Sequence, residues 1–320
     1  MEVRKIEDVD INPSSLVRVK EMGNITEVMF SNSYFSECNI LKLSKDTYLD
    51  KRDGEIKEFQ HIENRACDLK SISKSLGRLR DYLNTNITDV SKCRWVTLTY
   101  AENMTDSKRL YDDFRKFNAR LKYYLKQPYE YIVAMEPQGR GAWHCHIVLI
   151  FNSKAPYIPN DEMARIWGHG FTTTKKLDDV DNVGAYLTAY LGDMDIEEIN
   201  NGAITIDHAM KLCKHQVKEI EYEENGEHKK KAYVKGARLY LYPPQFNLYR
   251  CSRGIKKPIV SYQSEELAQK KVSAATLTYQ KTIQLVDAEN DFEKTISYRY
   301  YNSLRHDNAN INNGSDCNVE

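Results

Sequence analysis

Two histidines flank one non-polar residue in His144-Cys145-His146, inside the run Trp143-His144-Cys145-His146-Ile147-Val148-Leu149-Ile150-Phe151. The run reads as a buried strand, and successive strand side chains point to opposite faces. His144 and His146 therefore share one face, and Cys145 and Ile147 share the other. Two imidazoles side by side on a rigid strand make a metal clamp, because each neutral ring offers a nitrogen lone pair. A third donor, Glu136, ends the preceding strand. If the turn Pro137-Gln138-Gly139-Arg140-Gly141 is centred on Arg140, Glu136 lies directly across from His144, and cross-strand partners share a face. A one-residue slip would send it to the opposite face. Two imidazoles and a carboxylate suit Mn²⁺, accept Mg²⁺ and could take Zn²⁺. The plain alternative is a pair of histidines that only hydrogen-bond. The other histidines (His61, His169, His208, His215, His228 and His306) lack such a context, and His169 between two glycines reads as a loop residue.

A second chemical element lies downstream. Tyr186 and Tyr190 are four positions apart in Val183-Gly184-Ala185-Tyr186-Leu187-Thr188-Ala189-Tyr190-Leu191-Gly192, after a capping Asp181. On a helix they project from one face. A phenol is a poor nucleophile at neutral pH, with a pKa near 10, but a divalent cation that polarises the attacked phosphate compensates. The competing reading is a core stripe of Val183, Tyr186, Leu187, Tyr190 and Leu191.

The elements that must hold these groups are legible from periodicity. Residues 15–30 read as a hairpin turning at Gly23-Asn24. Leu69, Ile72, Leu76, Leu79 and Leu83 fall in helical register within 62–83, with Lys70, Lys74, Arg78 and Arg80 on the outside. Arg94 to Tyr100 is a strand. Asp106 to Leu125 is an amphipathic helix capped by Asp106 or Ser107. Tyr129 to Glu136 is a second strand, Asp161 to Trp167 a short helix with Asn160 as its cap, Phe171 to Thr174 a strand and Asn182 to Leu191 a helix. Glu219 to Lys231 reads as a charged loop. The stretch Arg238-Leu-Tyr-Leu-Tyr-Pro-Pro reads as a strand stopped by prolines. Thr276 to Val286 and Phe292 to Tyr301 read as strands, and the Asn- and Asp-rich tail from His306 as disordered. This order predicts an α+β fold with a mainly antiparallel sheet.

Composition sets bounds. The chain has 320 residues, 46 basic and 46 acidic, so bulk charge does not single out nucleic acid, and local patches decide. Charged residues at 29% and hydrophobic ones at 41% fit a soluble globular chain. Seven cysteines with no C-x-x-C pair argue against a disulfide framework or a four-cysteine zinc module. The start, Met-Glu-Val-Arg-Lys, has no apolar signal core, and no run approaches membrane-spanning length, which reads as cytosolic. There is no phosphate-binding G-x-x-x-x-G-K-[ST].

Taken together, these segments resemble the HUH endonucleases, in particular the rolling-circle replication initiator (Rep) proteins of bacterial plasmids and phages. Trp95-Val96-Thr97-Leu98-Thr99-Tyr100 resembles the family's first motif, His144-Cys145-His146 its His-hydrophobic-His motif, and Tyr186-Leu187-Thr188-Ala189-Tyr190 its two-tyrosine motif. Glu136 stands at the distance the family uses for a third ligand. Gly236 to Tyr240 and Ser252 to Pro258 also resemble segments of the plasmid and phage branch. Many relatives carry a lysine three residues after the first tyrosine; Ala189 stands there, and Lys175 or Lys176 could substitute.

The resemblance implies a five-stranded antiparallel sheet with flanking helices, ferredoxin- or RRM-like, over residues 62–260. A β-rich extension precedes it (1–61), a C-terminal hairpin region follows (261–305), and the tail is 306–320. It implies Mn²⁺ or Mg²⁺ on His144, His146 and Glu136, with Tyr186 and Tyr190 as nucleophiles on single-stranded or hairpin origin DNA. Arg78, Arg80, Arg140, Lys175, Lys176, Arg250, Arg253, Lys256 and Lys257 are candidate DNA contacts, and Tyr240, Tyr242 and Tyr249 could stack on bases. Host helicase and DNA polymerase are the implied partners, in the cytoplasm of a bacterial host. Two other readings stay open: a zinc hydrolase with the same ligands and an activated water, and a DNA-binding protein of this fold without catalysis.

Overall fold

The computed structural model describes residues 2–33, 39–59, 69–177, 182–188, 193–196, 217–224, 227–234, 236–243, 246–287 and 292–305. The expected tail from His306, the helix start at 62–68, the cap at Asp181 and the second tyrosine, Tyr190, lie outside these residues. The chain groups into two compact units, one from residues 1–62 with 257–316 and one from residues 63–256. It is α+β with antiparallel sheets. Among the described residues, no helix is long and apolar enough to cross a membrane.

The first unit opens with β1 (Glu2–Ile6), β2 (Leu16–Met22) and β3 (Ile25–Ser31), then a small sheet of β4 (Ile40–Lys42), β5 (Thr47–Asp50) and β6 (Ile56–Glu58). β2 and β3 form the expected hairpin, with Gly23 at φ 61°, a left-handed turn position.

The second unit follows. Helix α1 (Leu69–Asn86) precedes β7 (Cys93–Thr99), α2 (Ser107–Leu125), β8 (Tyr129–Pro137), β9 (Trp143–Phe151), α3 (Asn160–Trp167), β10 (Thr172–Lys175) and α4 (Val183–Thr188). Then come β11 (Met194–Asp195), β12 (Val217–Glu224), β13 (Glu227–Val234) and β14 (Tyr249–Cys251). Five strands make one antiparallel sheet in the order β10-β7-β9-β8-β14. Alternation sends Val96, Leu98, Val133, Met135, Cys145, Ile147 and Leu149 to one face, where they pack with Leu110, Phe114, Phe117 and Leu121 of α2 and Met163 and Ile166 of α3. Ile132, Ala134 and Val148 point to the other face and pack with Leu79 and Leu83 of α1 and Val183 of α4. The sheet is thus covered on both faces, and the histidines share the α1 and α4 side.

Local readings hold or fail for identifiable reasons. Asp106 caps α2, accepting from the backbone N–H groups of Lys108 and Arg109. Asn160 does not cap α3: it is the first helical residue, and its side chain instead accepts from the Thr174 N–H and ties the helix to β10. The charged run 219–231 is a hairpin of β12 and β13 rather than a loop, and its register sets Glu221 across from Lys230. The expected strand from Arg238 is a 3-10 turn, Ala237–Leu241, entered through Gly236 at φ 71°. Its Leu239 packs into the α2 side of the core, so an apolar alternation in sequence marks a tight turn's inward face.

The chain then returns to the first unit with β15 (Ile259–Ser264), α5 (Glu265–Val272), β16 (Thr276–Asp287) and β17 (Phe292–Asn302). These strands complete a six-stranded antiparallel sheet in the order β1-β16-β17-β3-β2-β15. Both ends of the sequence therefore build one sheet.

Candidate metal and nucleophile site

The register of β8 on β9 pairs Glu136 with His144, and β7 pairs Thr99 with His144 and Thr97 with His146. All five side chains thus stand on the histidine face. The two imidazole centroids are 6.0 Å apart. Although Glu136 is opposite His144 along the backbone, its Oε1 reaches diagonally to His146 Nε2 at 2.9 Å. The other nitrogen of that ring, Nδ1, is 3.2 Å from Thr97 Oγ1, and Trp95 stacks on it with centroids 5.4 Å apart. His146 is therefore held on three sides. His144 is not: its Nε2 is buried and has no hydrogen-bond partner among the described residues.

The electrostatics separate the two kinds of donor. Burial and the neighbouring His146 push the His144 imidazole down to about 4, against the pull of Glu136. It is neutral near pH 7, the form that donates a lone pair. Burial works to raise the Glu136 carboxyl, but His146, by charge and hydrogen bond, and then Arg238 outweigh it and hold the group down at about 2. Two imidazoles and an ionised carboxylate on one face suit a divalent cation, and the orphaned His144 Nε2 fits an additional ligand. Among the described residues no three His, Cys, Asp or Glu side chains are already gathered into a metal cage. Glu136 satisfies His146 instead.

Sequence reasoning missed the group that supports this acid. Arg238, buried in the 3-10 turn, places Nε 3.9 Å from Glu136 Oε2 and donates to the carbonyl oxygens of Asp193 and Pro137, each at 2.9 Å. It joins the end of the Glu136 strand to the segment after the tyrosine helix. Asp193 in turn accepts from the Gly236 N–H at 2.9 Å. Reading 238–242 as a strand hid this role. The signal available was an arginine directly after Gly236-Ala237, a place for a sharp turn.

The tyrosine helix lies on the same side of the sheet. Val183 and Leu187 of α4 pack with Ile132, Ala134 and Val148. Gly184 seats α4 against α1: its N–H donates to Asn84 Oδ1 at 2.7 Å, and a Cβ at that position would lie 2.5 Å from the Arg80 carbonyl oxygen. Asn182 accepts from the Ala185 N–H at 2.8 Å. Tyr186 is in α4, but its side chain, like all of Tyr190, lies outside the described residues.

The candidate DNA contacts are dispersed. Lys175 pairs with Trp95 at the β10 edge, so it is on the histidine face and exposed; Lys176 follows it, also exposed. Arg140, in the turn between β8 and β9, donates to the Tyr100 carbonyl oxygen and to Gln138. Arg78 is exposed on α1, whereas Arg80 is half-buried. Arg250 belongs to the opposite face, where its guanidinium lies 3.6 Å from the centre of the Tyr111 ring. Arg253 and Lys256 are exposed, and Asn86 exchanges two hydrogen bonds with the Lys256 backbone. Lys257 is assigned to the other unit. Tyr242 is packed edge-on to Trp143, which leaves it no face for a base.

An antiparallel α+β unit with two strand histidines, a buried glutamate and a helix on the same face is the class of protein these features define. Residues 93–195, from β7 to β11, match a family model of replication-associated proteins, the ORF2 family. The matched segment is less than half of the chain, contains His144, His146, Glu136 and Tyr186, and supports a replication initiator of the Rep kind. No curated protein and no solved structure matches the chain.

Proposed function

We propose that the chain is a replication initiator that nicks single-stranded origin DNA with a tyrosine. The observation that carries this reading is the shared face: His144, His146 and Glu136 stand on the sheet side where α4 packs, all within the segment similar to replication-associated proteins. His144, His146 and Glu136 would hold Mn²⁺ or Mg²⁺, which supplies charge neutralisation at the scissile phosphate. Trp95, Thr97 and Arg238 fix the orientation of the donors. Tyr186 attacks phosphorus in line, the P–O3′ bond breaks, and the phenolic proton passes to solvent while the departing 3′-oxygen takes one up. The products are a 5′-phosphotyrosine link and a 3′-hydroxyl that a host polymerase extends behind a helicase. Tyr190 performs the second transfer. Lys175, on the same face, supplies the phosphate contact for which Ala189 has no group.

The test is a labelled single-stranded origin oligonucleotide incubated with Mn²⁺, then denaturing electrophoresis and peptide mapping. A covalent adduct on the peptide of Tyr186 or Tyr190 is expected, and the Tyr186→Phe/Tyr190→Phe double variant should lose it. Undiminished cleavage by that variant would remove the tyrosine mechanism and favour hydrolysis by an activated water.

A further inference from the structure

The unit built from the two chain ends lies outside the segment matched to the replication family. α5 packs on one face of its six-stranded sheet, where Ala268 and Val272 meet Val17, Val19 and Val28. The opposite face has a different chemistry. Strand register places Tyr262, Arg18, Tyr298 and Lys281 in one row across it, and Lys20, Tyr300 and Tyr279 in the next. Tyr262 is 56% exposed and Tyr279 43%. The Tyr279 ring is held edge-on against Tyr300 at 5.8 Å, which orients it before any ligand arrives. One acid, Glu27, stands in these rows, and it accepts from Arg18 at 2.7 Å, Lys20 at 3.4 Å and the Tyr300 hydroxyl at 2.6 Å. Arg18 and Lys20 face that single carboxylate and Lys281 adds a third cation, so among the described residues these two rows carry more cations than acids.

Tyrosine rings interleaved with cations on a sheet match the chemistry of an unpaired nucleic-acid strand: phosphates take the charge, and bases stack on the rings. A duplex offers the phosphates but keeps its base faces inside the stack. We propose that this face is a second nucleic-acid site that binds single-stranded DNA, with Tyr262 and Tyr279 as stacking platforms and Arg18, Lys20 and Lys281 along the backbone. The site requires neither a metal ion nor the nucleophilic tyrosine, so it goes beyond the nicking reading. It gives an initiator a way to hold an opened strand independently of the cleavage chemistry.

The test uses the full chain in EDTA, so that covalent chemistry does not intervene, and a mixed-sequence single-stranded oligonucleotide carrying 5-iododeoxyuridine. Photocross-links should map to peptides containing Tyr262, Tyr279 or Tyr298. Tyr262→Ala/Tyr279→Ala should weaken binding by about tenfold or more, and Lys281→Gln should make the slope of log affinity against log salt shallower by about 0.7. Tyr262→Leu/Tyr279→Leu keeps apolar area while removing the rings, and serves the same purpose if the alanine variant unfolds. Cross-links confined to residues 93–195, or unchanged affinity in a folded double variant, would overturn the proposal. Tighter binding to RNA of the same sequence would overturn the choice of DNA. Loss of the adduct-forming chemistry in the Tyr186 and Tyr190 variant leaves this binding unaffected, so the two readings fail separately.

Discussion

The two histidines are neighbours on one strand face, yet the protein treats them differently. His146 is stacked on Trp95 and bonded to Thr97 and Glu136, so its ring cannot turn without breaking three contacts. His144 keeps a buried nitrogen without a partner among the described residues, at a cost of about 1–3 kcal/mol for a desolvated polar group. A cost of that kind points to a group that acts on something else. Arg238 is the residue whose loss should disturb the set most. Its planar fork reaches two carbonyl oxygens and lies beside the Glu136 carboxylate, all in a buried setting. Arg238→Gln should cost about 3 kcal/mol of stability, because it removes one of the two partners of a buried carboxylate, leaving His146 beside it, and takes the guanidinium donors from two carbonyls. Arg238→Lys restores charge but not the fork, so it should recover melting temperature only in part and adduct yield less. Thermal denaturation with calorimetric Mn²⁺ titration checks this. Equal stability and Mn²⁺ affinity in wild type and Arg238→Gln would show that the arginine supports nothing at the site.

At the scale of elements, the site depends on how α4 is seated. Gly184 lets the helix approach α1 so closely that a methyl group has no room against the Arg80 carbonyl and the Asn84 side chain. Gly184→Ala should destabilise the unit by about 1–3 kcal/mol through overpacking, and should lower adduct formation further, since the displaced helix carries Tyr186. A variant that melts normally and reacts normally would mean that α4 has slack and does not position the nucleophile. Much of this framework was legible beforehand. Strand alternation in Trp143 to Phe151 set the two histidines on one face, and a turn centred on Arg140, if adopted, set Glu136 across from His144, which is the pairing found; the period of two fixes only the parity, and the turn fixes the partner. What escaped were features decided by tertiary partners. β12 and β13 are strands rich in Glu and Lys, a composition that does not signal a strand, and they become legible only as a pair in register. The turn at Ala237–Leu241 carries strand-like alternation but is fixed by Gly236 and by its contact with β8. No local pattern announces that Glu136 will bond His146 diagonally rather than its direct opposite. That choice belongs to side-chain geometry.

At the scale of the molecule, the chain leaves one unit after β6 and returns to it at β15, so that unit's stability rests on contacts between the two ends of the sequence. Pairing of β3 with β17 and of β2 with β15 closes the sheet, and a buried ion pair ties α5 to it: Arg299 reaches both carboxylate oxygens of Glu265 at 2.6 Å. Burial works to raise the Glu265 carboxyl, but Arg299 and Gln269 outweigh it and hold the group below its usual range; Glu27 is held down likewise, by Lys20, Tyr300 and Arg18 against burial. Carboxyls depressed on folding contribute stability that is present above their unfolded pKa, near 4.3, and lost as pH falls through the lower folded values. The sheet should therefore loosen on acidification below about pH 4. Glu265→Gln leaves the Arg299 guanidinium buried without a counter-charge, so it should cost about 3 kcal/mol at neutral pH. The variant should also show a shallower acid limb, since one titrating group is gone. Hydrogen exchange read peptide by peptide localises the effect: β2, β3, β15, β16 and β17 should lose protection while β7, β8 and β9 keep theirs. Equal loss in β7 to β9 would mean that the two units unfold as one, and an unchanged exchange pattern in Glu265→Gln would show that the ion pair does not hold the sheet.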